Sequence, residues 1–171
     1  MLPVKDPPQN KRPTQTESEG LKKKFQANEQ QQKTGVAILI SEKKDFKTKV
    51  IRRDPEGHFI ILKGRIHQED INIINIYVPN IGAPKYIWKI LEDFKKVIDS
   101  NILILGDFNI PLSKMDRSSK QNINKDIVTL INILVQMNLT DIPKAFHPKE
   151  AKYTFFLSAH GICSKIDHMI G

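Results

Sequence analysis

An α/β sandwich of mixed sheets with helices packed outside is predicted by three observations. Short apolar runs bounded by turn residues read as strands. Two longer segments, at about 85–99 and after Asn124, carry apolar residues at helical spacing. The order (several strands, helix, strand, helix, strands) is neither strict βαβ alternation nor all-β. The chain has 171 residues, 39% hydrophobic and 27% charged, which suits one globular domain.

The elements follow in order. Residues 1–20 carry Pro3, Pro7, Pro8 and Pro13 among Gln, Lys and Glu, bury little surface, and are expected to be disordered. "GVAILIS" from Gly35 reads as a buried strand. "FKTKVIRR", 46–53, alternates in part and could pair with it. "DPEG", 54–57, is a turn, with Pro second and Gly fourth. "HFIILKGRI", 58–66, is a strand, "HQED" turns the chain, and "INIINIYVP", 71–79, is a strand stopped by Pro79. After the loop "PNIGAP", a helix over about 85–99 presents Ile87, Leu91, Phe94 and Ile98 with Trp88 beside them. Lys89, Glu92, Asp93, Lys95 and Lys96 take its other face, and Pro84 suits its first turn. "NILILGDF" is a strand. A second helix follows Asn124 as N-cap, with the stripe Ile127, Leu130, Ile131 and Leu134. "KYTFFLS" and "SKIDHMI" close the chain as short strands.

The formal net charge of +8 points to an anionic partner, nucleic acid first and a membrane surface second. Between 21 and 53, ten Lys and Arg residues face only Glu29, Glu42 and Asp45. Phosphate backbones would be attracted there, although a solvated face explains it as well. The single cysteine, Cys163, forms no disulfide within the chain and fits a reducing compartment, nucleus or cytoplasm. One Cys and scattered His do not suggest a zinc site. The start has no apolar signal region, and the longest apolar run, "VAILI", is far short of the roughly 20 residues of a membrane span.

Four positions are candidates for chemistry. Asp107 and Asn109 end a strand two residues apart, so both heads project to one side if the backbone stays extended. A carboxylate there could take a proton from water, and the amide could hold that water or a phosphate oxygen. Gly106 would leave room for a substrate. A strand-ending Asx turn is the plain alternative. Tyr77 ends its strand and could donate to a phosphate oxygen, or be a half-buried core Tyr. Asp167 and His168 are adjacent on a strand, face opposite sides and make a poor acid–base pair. Asp167 could orient a group across the sheet, or be an edge Asp beside an exposed His. Thr154 alone says nothing, and Asp116, Asp126 and Asp141 read as loop, helix-start and surface positions.

In order, "NIYVPN", a helix, "ILGDFN", "YTFF" and "SKIDH" resemble the endonuclease/exonuclease/phosphatase superfamily. "GVAILIS", "GHFIILKG", "NIYVPNIGAP", "LILGDFNIPLSKMDRS" and "NKD" look like the endonuclease domain of the long interspersed element (LINE) retrotransposon second-frame protein. The resemblance covers residues 20–171 as a partial domain, with 1–19 unrelated to it. It implies a four-layer α/β sandwich of two mixed sheets with flanking helices, and Mg²⁺-dependent hydrolysis of a DNA phosphodiester. By resemblance Asp107 positions or deprotonates the water, Asn109 contacts water and phosphate, and Tyr77 contacts phosphate. Thr154 lies at the DNA-facing surface, and Asp167 orients a catalytic His.

Two parts of the family pattern have no match. These are the early "LNINGL" and "QET" strands, the latter carrying the principal metal-ligand Glu, and the closing "SDH" that supplies the His. No residue here is assigned as a metal ligand, and His168 belongs to the earlier orienting motif. The expectation is little nuclease activity in this chain, since losing one charge-stabilising group typically costs roughly two to three orders of magnitude in rate. Missing strands would also leave open sheet edges, which favour pairing with a chain that supplies them.

Overall fold

The computed structural model describes residues 22–27, 35–95, 101–118, 123–150 and 152–171, so the disorder expected over 1–20 lies outside the described residues. The strands are β1 (Lys22–Ala27), β2 (Val36–Ser41), β3 (Phe46–Arg53), β4 (Phe59–Ile66) and β5 (Glu69–Tyr77), followed by helix α1 (Ala83–Lys95). Then come β6 (Asn101–Asp107), α2 (Lys125–Gln136), α3 (Ile142–Phe146), β7 (Phe155–Leu157), β8 (Ile162–Ser164) and β9 (Asp167–Ile170). The main sheet has the order β3-β4-β5-β6-β9; β1 and β2 form a second, two-stranded sheet, and β7–β8 a short hairpin. Among the described strands only β5 and β6 run parallel, because α1 carries the chain back between them.

Turn chemistry sets the antiparallel joints. Gly57 closes "DPEG" at φ +81, with its N–H donated to the Asp54 carbonyl at 3.0 Å. His67 and Gln68 both adopt positive φ, the conformation that a two-residue hairpin loop demands. The expected pairing of β3 with β2 does not occur. β2 pairs with β1 along its whole length, from Lys22↔Ser41 to Ala27↔Val36, and β3 pairs with β4. The link 42–45 therefore crosses between sheets and delivers Phe46, 2% exposed, into the space between them.

Alternation along β4 and β5 builds two cores. Ile61, Ile74, Ile76 and Ile104 meet Ile87, Leu91 and Phe94 of α1 and Leu130 and Leu134 of α2. Ile60, Leu62 and Phe46 meet Ala27, Val36 and Ile38 on the opposite face. Each such side chain contributes roughly 1.5–3 kcal/mol on burial, and Phe94 adds an edge-to-face contact with Phe59 at 5.4 Å. The described layers are thus helices, main sheet and part of a second sheet, a mixed α/β sandwich as expected. Of the predicted stripes, Ile131 is only partly buried and Trp88 is exposed, while Ile98 lies outside the described residues. No helix among the described residues is long and apolar enough to cross a membrane.

Asn124 caps α2 as predicted, its side chain accepting from the Asp126 N–H at 3.1 Å. Asn124→Ala should therefore cost about 1 kcal/mol. A thermal melt superimposable on the parent would show that the cap is idle.

Candidate active site

The sheet register gathers the strand-end candidates. Tyr77 of β5 is the parallel partner of Asp107 of β6, and Asp107 is the antiparallel partner of Asp167 of β9. Three residues far apart in sequence thus form one row across adjacent strands, at one end of the sheet. Their neighbours decide which way they face. Phe108 and His168 are buried toward the helices, so Asp107 and Asp167 turn to the other face, where Tyr77 packs at the margin of the second core.

Asp107 and Asn109 form a turn at the end of β6. The Asn109 N–H donates to Asp107 Oδ1 at 2.9 Å, an Asx turn, and Asn109 sits at φ +53. The chain is therefore not extended here, and the expectation that both heads project along one strand face is corrected. Asn109 Nδ2 instead donates to the Val78 carbonyl at 2.5 Å, pinning the turn to the end of β5. The second carboxylate oxygen and the amide oxygen stay outside these bonds. Burial pushes the Asp107 carboxyl above its ordinary range, the Asn109 N–H opposes that, Asp167 adds to it, and His168 opposes it. Gly106 has a different purpose from the one expected. At φ +138, a Cβ there would lie 1.9 Å from the Ile76 carbonyl oxygen, so the glycine admits β5 rather than a substrate.

Thr154 supports the row. Its hydroxyl accepts from the N–H groups of Ile166 at 3.1 Å and Asp167 at 3.2 Å, which holds the entry to β9, and its O–H is left to donate elsewhere. His168, expected to be exposed, is 4% exposed. It points away from the row, with Nδ1 3.2 Å from Asp141 Oδ2 and Nε2 2.9 Å from the Ile110 carbonyl oxygen. Asp141 and Asp116, read as surface and loop, are also withdrawn from solvent. Asp141 takes both carboxylate bonds from Lys165 Nζ, at 3.0 and 2.8 Å. Asp116 accepts from Lys144 Nζ at 2.7 Å and from the Leu112 N–H at 3.0 Å. This ionic layer backs the row from the helix side and ties the loop after Asn109 to α3 and β9.

Two clefts flank the row. One of about 310 Å³ is lined by Asn80, Asn109, Arg117, Phe155, Ser164 and Ile166. The other, about 220 Å³, lies beside Asp167 with Lys144, His147, Lys152 and Thr154. Of these, Arg117 and Ser164 have no role assigned from the sequence, although Arg117 falls within the quoted "LILGDFNIPLSKMDRS" and Ser164 opens "SKIDH". A larger groove of about 470 Å³ between α1 and α2 contains Trp88 and none of the row. Among the described residues, no three His, Cys, Asp or Glu side chains are grouped to hold a metal ion.

The chain is similar to several known proteins. The "Transposon TX1 uncharacterized 149 kDa protein" of Xenopus laevis is 25% identical over 142 residues, which is 79% of this chain and 11% of that protein. The endonuclease domain of TRAS1, a telomere-specific non-LTR retrotransposon, aligns with TM-score 0.61 and 17% identity over 87% of this chain and 66% of that one. The 3′ phosphatase NExo from Neisseria, bound to product DNA hairpin, aligns with TM-score 0.57 and 19% identity over 78% and 60%. The chain thus spans about a tenth of the Xenopus relative and under two thirds of NExo, and the structural likeness concerns the fold. The model of the Endonuclease/Exonuclease/phosphatase family matches residues 5–171. With that match covering nearly its whole length, the chain belongs to the endonuclease/exonuclease/phosphatase family.

Proposed function

We propose that this is part of a retrotransposon-type DNA endonuclease, carrying the water- and phosphate-handling half of the site. The observation that carries this reading is the row Tyr77–Asp107–Asp167, closed by the Asx turn at Asn109. A carboxylate raised by burial holds a proton better than an ordinary Asp, as acceptance from an attacking water requires. The amide of Asn109 is fixed by Val78 and offers its oxygen to that water. The Tyr77 phenol can donate to a phosphate oxygen, and Thr154 with Lys152 lines a cleft that suits the flanking backbone. DNA is the substrate this favours, a reading consistent with NExo being solved with a DNA hairpin.

Mg²⁺ is the cofactor implied by the resemblance, supplying charge neutralisation on the phosphate when bound. The described residues do not fit a complete metal centre, because Asp107 and Asp167 are neighbouring carboxylates without a grouped third. His168 is turned to the helix side and does not serve the row. Hence the chain alone should cleave DNA negligibly. In a supercoiled-plasmid nicking assay with Mg²⁺, rates should equal those of Asp107→Ala. Turnover that Asp107→Ala abolishes would overturn the inactivity. A second reading, nucleic-acid binding without cleavage, is favoured by the net charge of +8. Either reaction belongs in the nucleus or cytoplasm, where Cys163 stays reduced.

A further inference from the structure

Among the described residues, the cations of 23–53 do not form one patch. Arg52 lies over the Phe94 ring at 5.9 Å, and Arg53 Nε donates to the Gln26 carbonyl at 2.9 Å, both toward the row's end of the sheet. The lysines collect at the other end. Lys23 and Lys24 of β1 pair with Ile40 and Leu39 of β2, Lys43 and Lys44 occupy the turn after β2, and Lys47, second in β3 and opposite Arg65, makes an exposed ion pair with Asp45 at 3.7 Å. Lys23 Nζ reaches the Phe46 carbonyl at 3.5 Å, which brings the two sheets' basic ends together. Lys49, at the register shift of β3, meets Asp70 at 2.6 Å, and Arg65 meets the same oxygen at 2.9 Å. Two cations thus share one carboxylate. Among the described residues, Glu42, Asp45 and Glu69 accompany Asp70 as the acidic residues of these turns and strand ends.

This end is remote from the row. Along β5 and β6 the register runs from Ile71↔Asn101 at the basic end to Tyr77↔Asp107 at the row. Six residues of parallel strand span roughly 20 Å. Lysines on open edge strands also discourage edge-to-edge pairing. Lys43 and Lys44, however, lie in a turn with no ladder to protect, and both are exposed.

We propose that the end of the molecule carrying Lys23, Lys24, Lys43, Lys44 and Lys47 is a second, non-catalytic surface for a nucleic-acid phosphate backbone. It holds the polymer without occupying the row, and it recognises charge rather than base sequence. The proposal does not rest on the nuclease reading.

The test reads binding alone, in EDTA, with the full chain and a fluorescent DNA duplex of about 20 base pairs, titrated between roughly 50 and 200 mM salt. The triple variant Lys43→Gln/Lys44→Gln/Lys47→Gln should weaken binding about tenfold at the lower salt. It should also flatten the slope of log K against log salt by roughly 2–3, about 0.9 for each phosphate that is no longer neutralised. Lys89→Gln/Lys95→Gln on α1 should change neither. A second readout uses the unsubstituted protein: duplex should protect the amines of Lys43, Lys44 and Lys47 from acetylation. A single-stranded RNA arm separates the two polymer sources. Equal slopes in parent and triple variant, or lysines unprotected by either polymer, would overturn the proposal.

Discussion

Gly106→Ala should remove the cooperative folding transition or lower the melting temperature by roughly 8–16 °C, the equivalent of about 4 kcal/mol or more. The added Cβ would lie 1.9 Å from the Ile76 carbonyl oxygen and 2.9 Å from Asn75 Oδ1. The first contact is with backbone, which no rotamer change relieves. The residue also sits at φ +138, a region that side-chain-bearing residues rarely adopt. Relief would require β5 and β6 to part where Ile76 pairs with Gly106, next to the Tyr77 and Asp107 pair. The substitution therefore attacks stability and the row together. It is checked by far-UV circular dichroism melting, and a midpoint within about 2 °C of the parent would show that the strands pair differently there.

The features legible in the sequence are those that depend on local periodicity. β4, β5 and β6 are apolar runs bounded by turns, α1 and α2 repeat at helical spacing, and Asn124 stands where a cap should. Tyr77 and Asp107 are legible as strand ends, but that they stand in one row with Asp167 follows from the register and is implied in the sequence only by the resemblance. The failures share a physical cause: partners distant in sequence. β1 has no strand assigned to it in the sequence because only Phe25 and Ala27 turn inward, and that orientation matters only once β2 lies beside them. The link 42–45 looks like a hairpin, yet it connects two sheets. Asp116, Asp141 and His168 read as exposed because isolated charges belong in water. Burial of the two carboxylates depends on Lys144 and Lys165, which neutralise them from other segments, and His168 is held by Asp141 and the Ile110 carbonyl. Asn109 misleads differently, since its positive φ breaks the extended geometry on which a shared direction with Asp107 depends.

Asp141→Ala should destabilise the fold by roughly 3–5 kcal/mol, because removing one partner strands the charges that remain. Lys165, its side chain 9% exposed, would keep an ammonium with no carboxylate, and His168, fully buried, would lose its Nδ1 partner. The imidazole lies between Asp141 and the Ile110 carbonyl, so losing Asp141 leaves one of its two ring nitrogens without that neighbour. The variant also loses the side-chain cap of α3, which accepts from the Lys144 N–H at 3.2 Å. Burial alone would raise the Asp141 carboxyl, but hydrogen bonds from His168, Lys165 and Lys144 more than offset that and hold it well below the usual carboxylate range. A depressed folded-state value means that this stabilisation is complete above the unfolded value, about pH 4, and is lost as the pH falls toward the folded one. Asp107 has the opposite sign. Its raised carboxyl makes the ionised form unfavourable in the fold, so Asp107→Asn should be neutral or stabilising at pH 7. Urea melts at pH 7 and pH 3 separate the two. The gap between parent and Asp141→Ala should narrow at pH 3, and a gap independent of pH would mean that the Asp141 charge is not what holds α3, β9 and the loop after Asn109 together.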